Sequence, residues 1–297
     1  MAESPPPPPT GIIHDIGYRP YAEQRLGEGA VAWALFTTGL RHCFGLGRSG
    51  KSKVLPMMLL AIMLLPPVII VGVTVVLGLS SQPVDYSRYP LIMSLVVSTF
   101  VAAQSPALIS RDLRYRMITL YLARPLRRST YVLARFASLT VAVLILIALP
   151  LLVLYVGGLL ADLPFRRETA DVLAALLGAL LLSATLAGVG AVIAAVTTRR
   201  GLAVAAIVTL LLVSYTAVSA VQAIAVEVGQ RGLAEWAGLF SPYSLVDGVQ
   251  VWALGADGSS SAPPTGLVGA VFAAVTLGLI AAAVGLLLLR YRRAAAA

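Results

Sequence analysis

The chain has a single cysteine, Cys43, and only two histidines, His14 and His42. A lone thiol excludes an intrachain disulfide and any cysteine-cluster metal site. Two histidines, both near the N-terminus, are too few and too scattered for a metal centre or a Ser/His/Asp catalytic set. Charge is scarce as well, since Asp, Glu, Lys and Arg together make 12% of the residues. The long apolar runs hold no acid and almost no base. That argues against a proton- or ion-driven pump, which places charged side chains on the route of its coupling ion. No apolar run begins before about Val54, so no cleavable signal peptide is expected and the mature chain should keep its N-terminus.

What the chain has in excess is apolar length. It is 59% hydrophobic with a mean hydropathy of +0.90, against about 45–50% apolar residues in a soluble domain. A bilayer core takes about 20 apolar residues in helix. Six runs meet that length, at residues 54–79, 89–110, 131–160, 172–196, 202–226 and 267–289. They are continuous and do not alternate, which excludes a membrane β-barrel and leaves helices that satisfy their own backbone. The fold class expected is therefore an all-α integral membrane protein with six transmembrane helices, residues 54–293 forming one transmembrane domain. Prolines 56, 66 and 67 are expected to kink the first span.

The net charge of +9 is not read as a nucleic-acid footprint, because the basic residues flank the apolar runs. With both termini placed in the cytoplasm, eighteen of the twenty-two Lys and Arg fall inside, as retention of cytoplasmic positive charge requires. A multi-pass protein of the cell membrane with cytoplasmic termini follows.

The polar stretches differ from one another. Residues 1–27 are polar, open with a run of prolines and are expected to be disordered. Residues 28–44 place Trp33, Phe36, Leu40 and Phe44 at spacings of three to four, an apolar stripe on a helix too short to span. That predicts an amphipathic elbow anchored in the headgroup region by Trp33, with a basic flank running to residue 53. Residues 45–52, GLGRSGKS, match the phosphate-loop pattern letter for letter. The match is rejected, because a phosphate loop joins a buried strand to a helix in an α/β domain, and here a membrane span follows at once. Residues 227–266 form a long outer segment. Its first half carries Trp236, Phe240, Tyr243 and Trp252 and suits short re-entrant helices, and its second half reads as a flexible linker.

Residues 111–128 read RDLRYRMITLYLARPLRR, with six arginines and one acid. Leu113, Met117 and Leu120 share a helical face, whereas Arg111, Arg114 and Arg116 lie mostly elsewhere on the wheel, and Pro125 stops the helix. The functional reading is a cytoplasmic docking helix. The plain reading is a charged loop that only orients the protein. Uncharged polar residues also sit at depth in the spans: Gln104 and Ser105, then Ser214, Tyr215, Thr216, Ser219 and Gln222. They suit either a substrate path or helix–helix hydrogen bonding.

These features resemble the permease subunits of ABC type-2 exporters. The resemblance rests on the elbow, the six spans, the outer half-helices and the stretch ISRDLRYRMITLYLARPLRRSTYVLAR at 109–135. Within it the run on Leu122, Ala123, Arg124, Pro125, Leu126, Arg128 and Tyr131 is similar to that family's pattern. The resemblance implies an ATP-driven exporter with two permease subunits, identical or different, and two soluble ATPase subunits. It implies a coupling helix seated on the ATPase, here residues 111–123, with Arg111, Asp112, Leu113, Arg114, Tyr115, Arg116, Met117 and Leu120 as its docking residues. It places ATP and Mg on the partner, with no cofactor, metal or catalytic residue on this chain and with membrane lipid, not nucleic acid, around it. A six-span scaffold or assembly factor that transports nothing is the alternative, and a membrane-embedded enzyme is disfavoured by the scarcity of acids, histidines and thiols.

Overall fold

The structure, a computed structural model, describes residues 27–47, 50–110, 127–197, 199–258 and 260–294. Every regular element among them is helical. Five helices are long and apolar enough to cross a membrane. They are α2 (Lys51–Leu77), α5 (Arg128–Leu160), α6 (Phe165–Val196), α7 (Arg200–Glu227) and α10 (Gly266–Ala294). They coincide with the first, third, fourth, fifth and sixth expected spans. The three prolines of α2 are carried inside one continuous helix.

The second expected span is not a single rod. It is divided into α3 (Tyr89–Ile92), α4 (Ser94–Ser105) and a π-helical turn, Pro106–Ser110. Pro106 has no N–H to return to the preceding turn, and a widened π turn accommodates that loss. The approach to this segment also differs from a surface loop. Tyr89 Oη donates to the Met63 carbonyl at 2.6 Å. Met63 lies fourteen residues before the end of α2, about 21 Å along its axis. The chain after α2 therefore descends into the bundle before helix resumes, with Tyr86 and Tyr89 buried. Non-helical backbone at that depth is tolerated because protein, not lipid, surrounds it.

α5 and α6 form the centre. About half of their apolar windows is buried, against 22% for α2, α7 and α10, whose outer faces are left apolar and exposed. Small residues permit close approach between helices. A Cβ placed on Gly190 of α6 would stand 2.5 Å from Ser105 Oγ.

After α7 the chain folds back. α8 (Arg231–Ala237) packs on α7, where Gln222 Nε2 donates to the Ala234 carbonyl at 3.0 Å. A 3₁₀ turn, Gly238–Phe240, leads to α9 (Pro242–Leu254). The ring of Tyr243, at the start of α9, packs at a tilt 5.3 Å from that of Tyr215. Tyr215 is twelve residues before the end of α7, about 18 Å along it. α9 then climbs outward between α6 and α10, with Tyr243 through Gln250 buried. At the end of the climb a buried carboxylate, Asp247, accepts the Ser260 N–H at 3.0 Å.

Candidate functional site

The docking residues expected at Arg111, Asp112, Leu113, Arg114, Tyr115, Arg116, Met117 and Leu120 lie outside the described residues. Both flanks of that segment are described, and the second carries the most informative contact at this end of the bundle. Glu28, in the first turn of α1 (Glu28–Cys43), reaches across to the start of α5. Its Oε1 accepts from Thr130 Oγ1 at 2.6 Å and from the Arg127 N–H at 3.3 Å. Its Oε2 faces Arg127 Nε at 3.6 Å. The first N–H groups of a helix lack internal partners and favour an anion, so Glu28 acts as a cap supplied by a different helix. The Thr130 hydroxyl first, then the Arg127 amide and guanidinium, hold its carboxyl below the usual glutamate range.

α1 then runs beside α5 in the same direction. Ser138 Oγ donates to the Phe36 carbonyl at 2.9 Å. A Cβ on Gly39 would stand 2.5 Å from that same Oγ, so only glycine permits the approach. α5 has 33 residues and is about 50 Å long, well beyond the ~30 Å of a hydrocarbon core. Its first turns provide the overhang against which α1 packs. The elbow stripe is graded along this contact. Trp33 is 65% exposed and stacks on Phe36 at 5.3 Å, Leu40 packs on the core, and Phe44 is buried 5.7 Å from Phe100.

Arg135 carries more than the topological role assigned from sequence. It is buried, its guanidinium lies 5.4 Å from the Tyr131 ring centre, and its Nε–H donates to Tyr131 Oη at 3.3 Å. Tyr131 in turn lies 5.7 Å from Tyr291 of α10. The i, i+4 spacing of Tyr131 and Arg135 was the available signal.

The polar residues expected at depth are not gathered in one place. Gln104 and Ser105 are buried at the end of α4, and Ser105 Oγ is spent on the Val101 carbonyl at 2.7 Å. Gln222 holds α8. Ser214, Tyr215 and Ser219 are half-buried on α7, and Tyr215 is the one brought against another element. Its partner Tyr243 donates its hydroxyl to the Ser94 carbonyl at 3.0 Å and lies 2.8 Å from Ser98 Oγ. This α4–α7–α9 cluster had no periodic signature in the sequence.

At the opposite end, the descending loop is tied down. Tyr86 Oη donates to the buried Glu168 carboxylate. Gln82 Nε2 donates to the Leu154 carbonyl at 3.1 Å, and Ser87 Oγ to the Asp257 carbonyl at 2.8 Å. These contacts border a cavity of about 170 Å³ whose lining includes Asp85, Asp171 and Asp257. Burial, and then the Glu168 carboxylate, push the Tyr86 hydroxyl above the ordinary tyrosine range.

Among the described residues there is no group of three or more His, Cys, Asp or Glu that could hold a metal. The phosphate-loop look-alike starts after α1 and runs into the first turn of α2, with no strand before it among the described residues. Its Gly45 and Gly47 take positive φ values of 70° and 81°, as a tight turn between two helices requires.

No curated protein sequence matches this chain. A family profile described as ABC-2 family transporter protein matches residues 77–287. The match starts at the last residue of α2 and ends within α10, so it takes in the descending loop, the basic segment and helices α8 and α9. With well over half of its length matched over this helical membrane architecture, the chain belongs to the ABC-2 family of transporter proteins, membrane-embedded permease components of ABC transporters.

Proposed function

We propose that the chain is the permease subunit of an ATP-driven exporter that moves a hydrophobic or amphipathic substrate outward across the cell membrane. It works with two copies of a separate ATPase, which bind ATP and Mg, and with a second permease subunit, identical or different. Six crossings, both termini in the cytoplasm, and re-entrant α8 and α9 belong to this reading. The divided α3–α4 segment makes the second crossing, and the depth reached by Tyr243 beside Tyr215 supports re-entry.

The observation that carries the reading is the Glu28 cap. The basic segment ends at the residues Glu28 binds, Arg127 and Thr130. A displacement of residues 111–123 by an ATPase reaches α5, the most central long helix with α6, through its first turn, and takes the elbow with it. Of the elbow stripe, Trp33 with Phe36 anchors that elbow at the membrane surface, and Leu40 and Phe44 fix it to the bundle. The substrate route runs past Gln104 and Ser105 on α4 and Ser214, Tyr215 and Ser219 on α7, while Gln222 ties α8 to α7.

Reversing charge at Arg111, Arg114 and Arg116 tests the docking role. Insertion should be intact, while copurification of the ATPase and nucleotide-dependent transport fall. Unchanged ATPase association and transport in the triple variant would return those arginines to a topological role. Failure of any ATPase to copurify with the unmodified chain would favour a non-transporting scaffold.

A further inference from the structure

At the end of the bundle where α6 and α10 finish, the two helices leave a groove of about 230 Å³. Its walls are apolar, with Val192 and Val196 from α6 and Leu286 and Leu289 from α10. Its rim is basic, with Arg290 and Arg293, and no acid lines it among the described residues. Arg290 is held in place: its Nε–H donates to the Ala195 carbonyl near the end of α6 at 3.3 Å. A guanidinium has further N–H donors in a fixed fork, so this contact orients Arg290 without using it up. Arg293 lies one turn further along the same helix and is exposed. Arg199 and Arg200 follow shortly after Val196 and add positive charge at this end.

We propose that the groove binds one anionic phospholipid, with an acyl chain between α6 and α10 and the phosphate on Arg290 and Arg293. The chemistry matches at both ends: an oily slot at membrane depth, opening onto paired guanidiniums suited to a phosphodiester. A plain dipole-capping role for Arg290 at the end of α6 explains neither Arg293 nor the apolar slot beneath. With cytoplasmic termini, the lipid belongs to the inner leaflet. The inference does not depend on what the protein transports.

Native mass spectrometry of the full chain, purified with whatever ATPase accompanies it, tests this. Dioleoylphosphatidylglycerol is titrated against dioleoylphosphatidylcholine of identical chains. The anionic lipid should bind more tightly, and each arginine lost should weaken it about fivefold. Arg290→Gln with Arg293→Gln should therefore abolish most of the preference, Arg290→Lys should keep much of it, and Arg231→Gln at the far end should change nothing. Leu286→Trp, which fills the slot without altering charge, should weaken both lipids. Equal binding of the two lipids, or indifference to the arginine variants, overturns the proposal. So does binding of glycerol phosphate as tight as that of the lipid, which would leave the groove no part. A change in subunit stoichiometry in place of lipid adducts would make the groove a subunit contact and overturn it too.

Discussion

Tyr243 shows how much a single side chain can hold in a bundle with few polar groups. Its ring packs at a tilt against Tyr215 and its hydroxyl joins Ser94 and Ser98, so three elements meet on one residue. Tyr243→Phe keeps the ring contact and strips two buried partners of theirs. Interhelical hydrogen bonds in membranes are worth about 0.6 kcal/mol on average and rarely above about 1.7. A loss of about 1 kcal/mol is expected, read as a lower Tm in detergent with little change in expression. Gly39 offers a larger effect. A side chain there collides with Ser138, and the contact is with Cβ as well as Oγ, at 2.9 Å and 2.5 Å. Gly39→Val should cost about 1–3 kcal/mol through overpacking. It should also free α1 from α5, detectable as greater protease sensitivity of residues near 28–44.

At the level of elements, α1 is a lever attached to α5 at one end by a carboxylate. The Glu28 carboxyl has its pKa lowered in the folded protein. Its contribution is therefore complete above the unfolded value of about 4.3 and is lost only as pH falls through the lower folded value. Spin labels on Ala34→Cys and Arg128→Cys should report a constant separation from neutral pH down to that acid range, then a broadened distribution. Glu28→Gln keeps an acceptor for Thr130 but removes the charge, and should abolish the acid dependence. A separation that already broadens near pH 7 would contradict the cap.

For the whole molecule, parity is the test. Five crossings would put α1 and the end of α10 on opposite sides of the membrane, and six put them on the same side. With the divided α3–α4 segment crossing, cysteines at Ala30 and Arg292 should both be shielded from an impermeant maleimide in intact cells. Cysteines at Arg166 and Arg231 should both react. Labelling of only one of the first pair would show that α3 and α4 do not complete a crossing.

Hydropathy alone determined that this chain lies in a membrane, where its long helices run and which stretches stay polar, because bilayer burial acts on each segment by itself. The pattern around Arg111 to Tyr131 and the elbow stripe were enough to point to the family. Tertiary structure decided the rest. Glu28 binds Thr130 across 102 positions of chain, Tyr243 reaches Ser98 across 145, and Tyr89 finds Met63 below the surface. Pairings of that range leave no period in a sequence. Nor does a groove like the one under Arg290, which exists only because two helices end side by side.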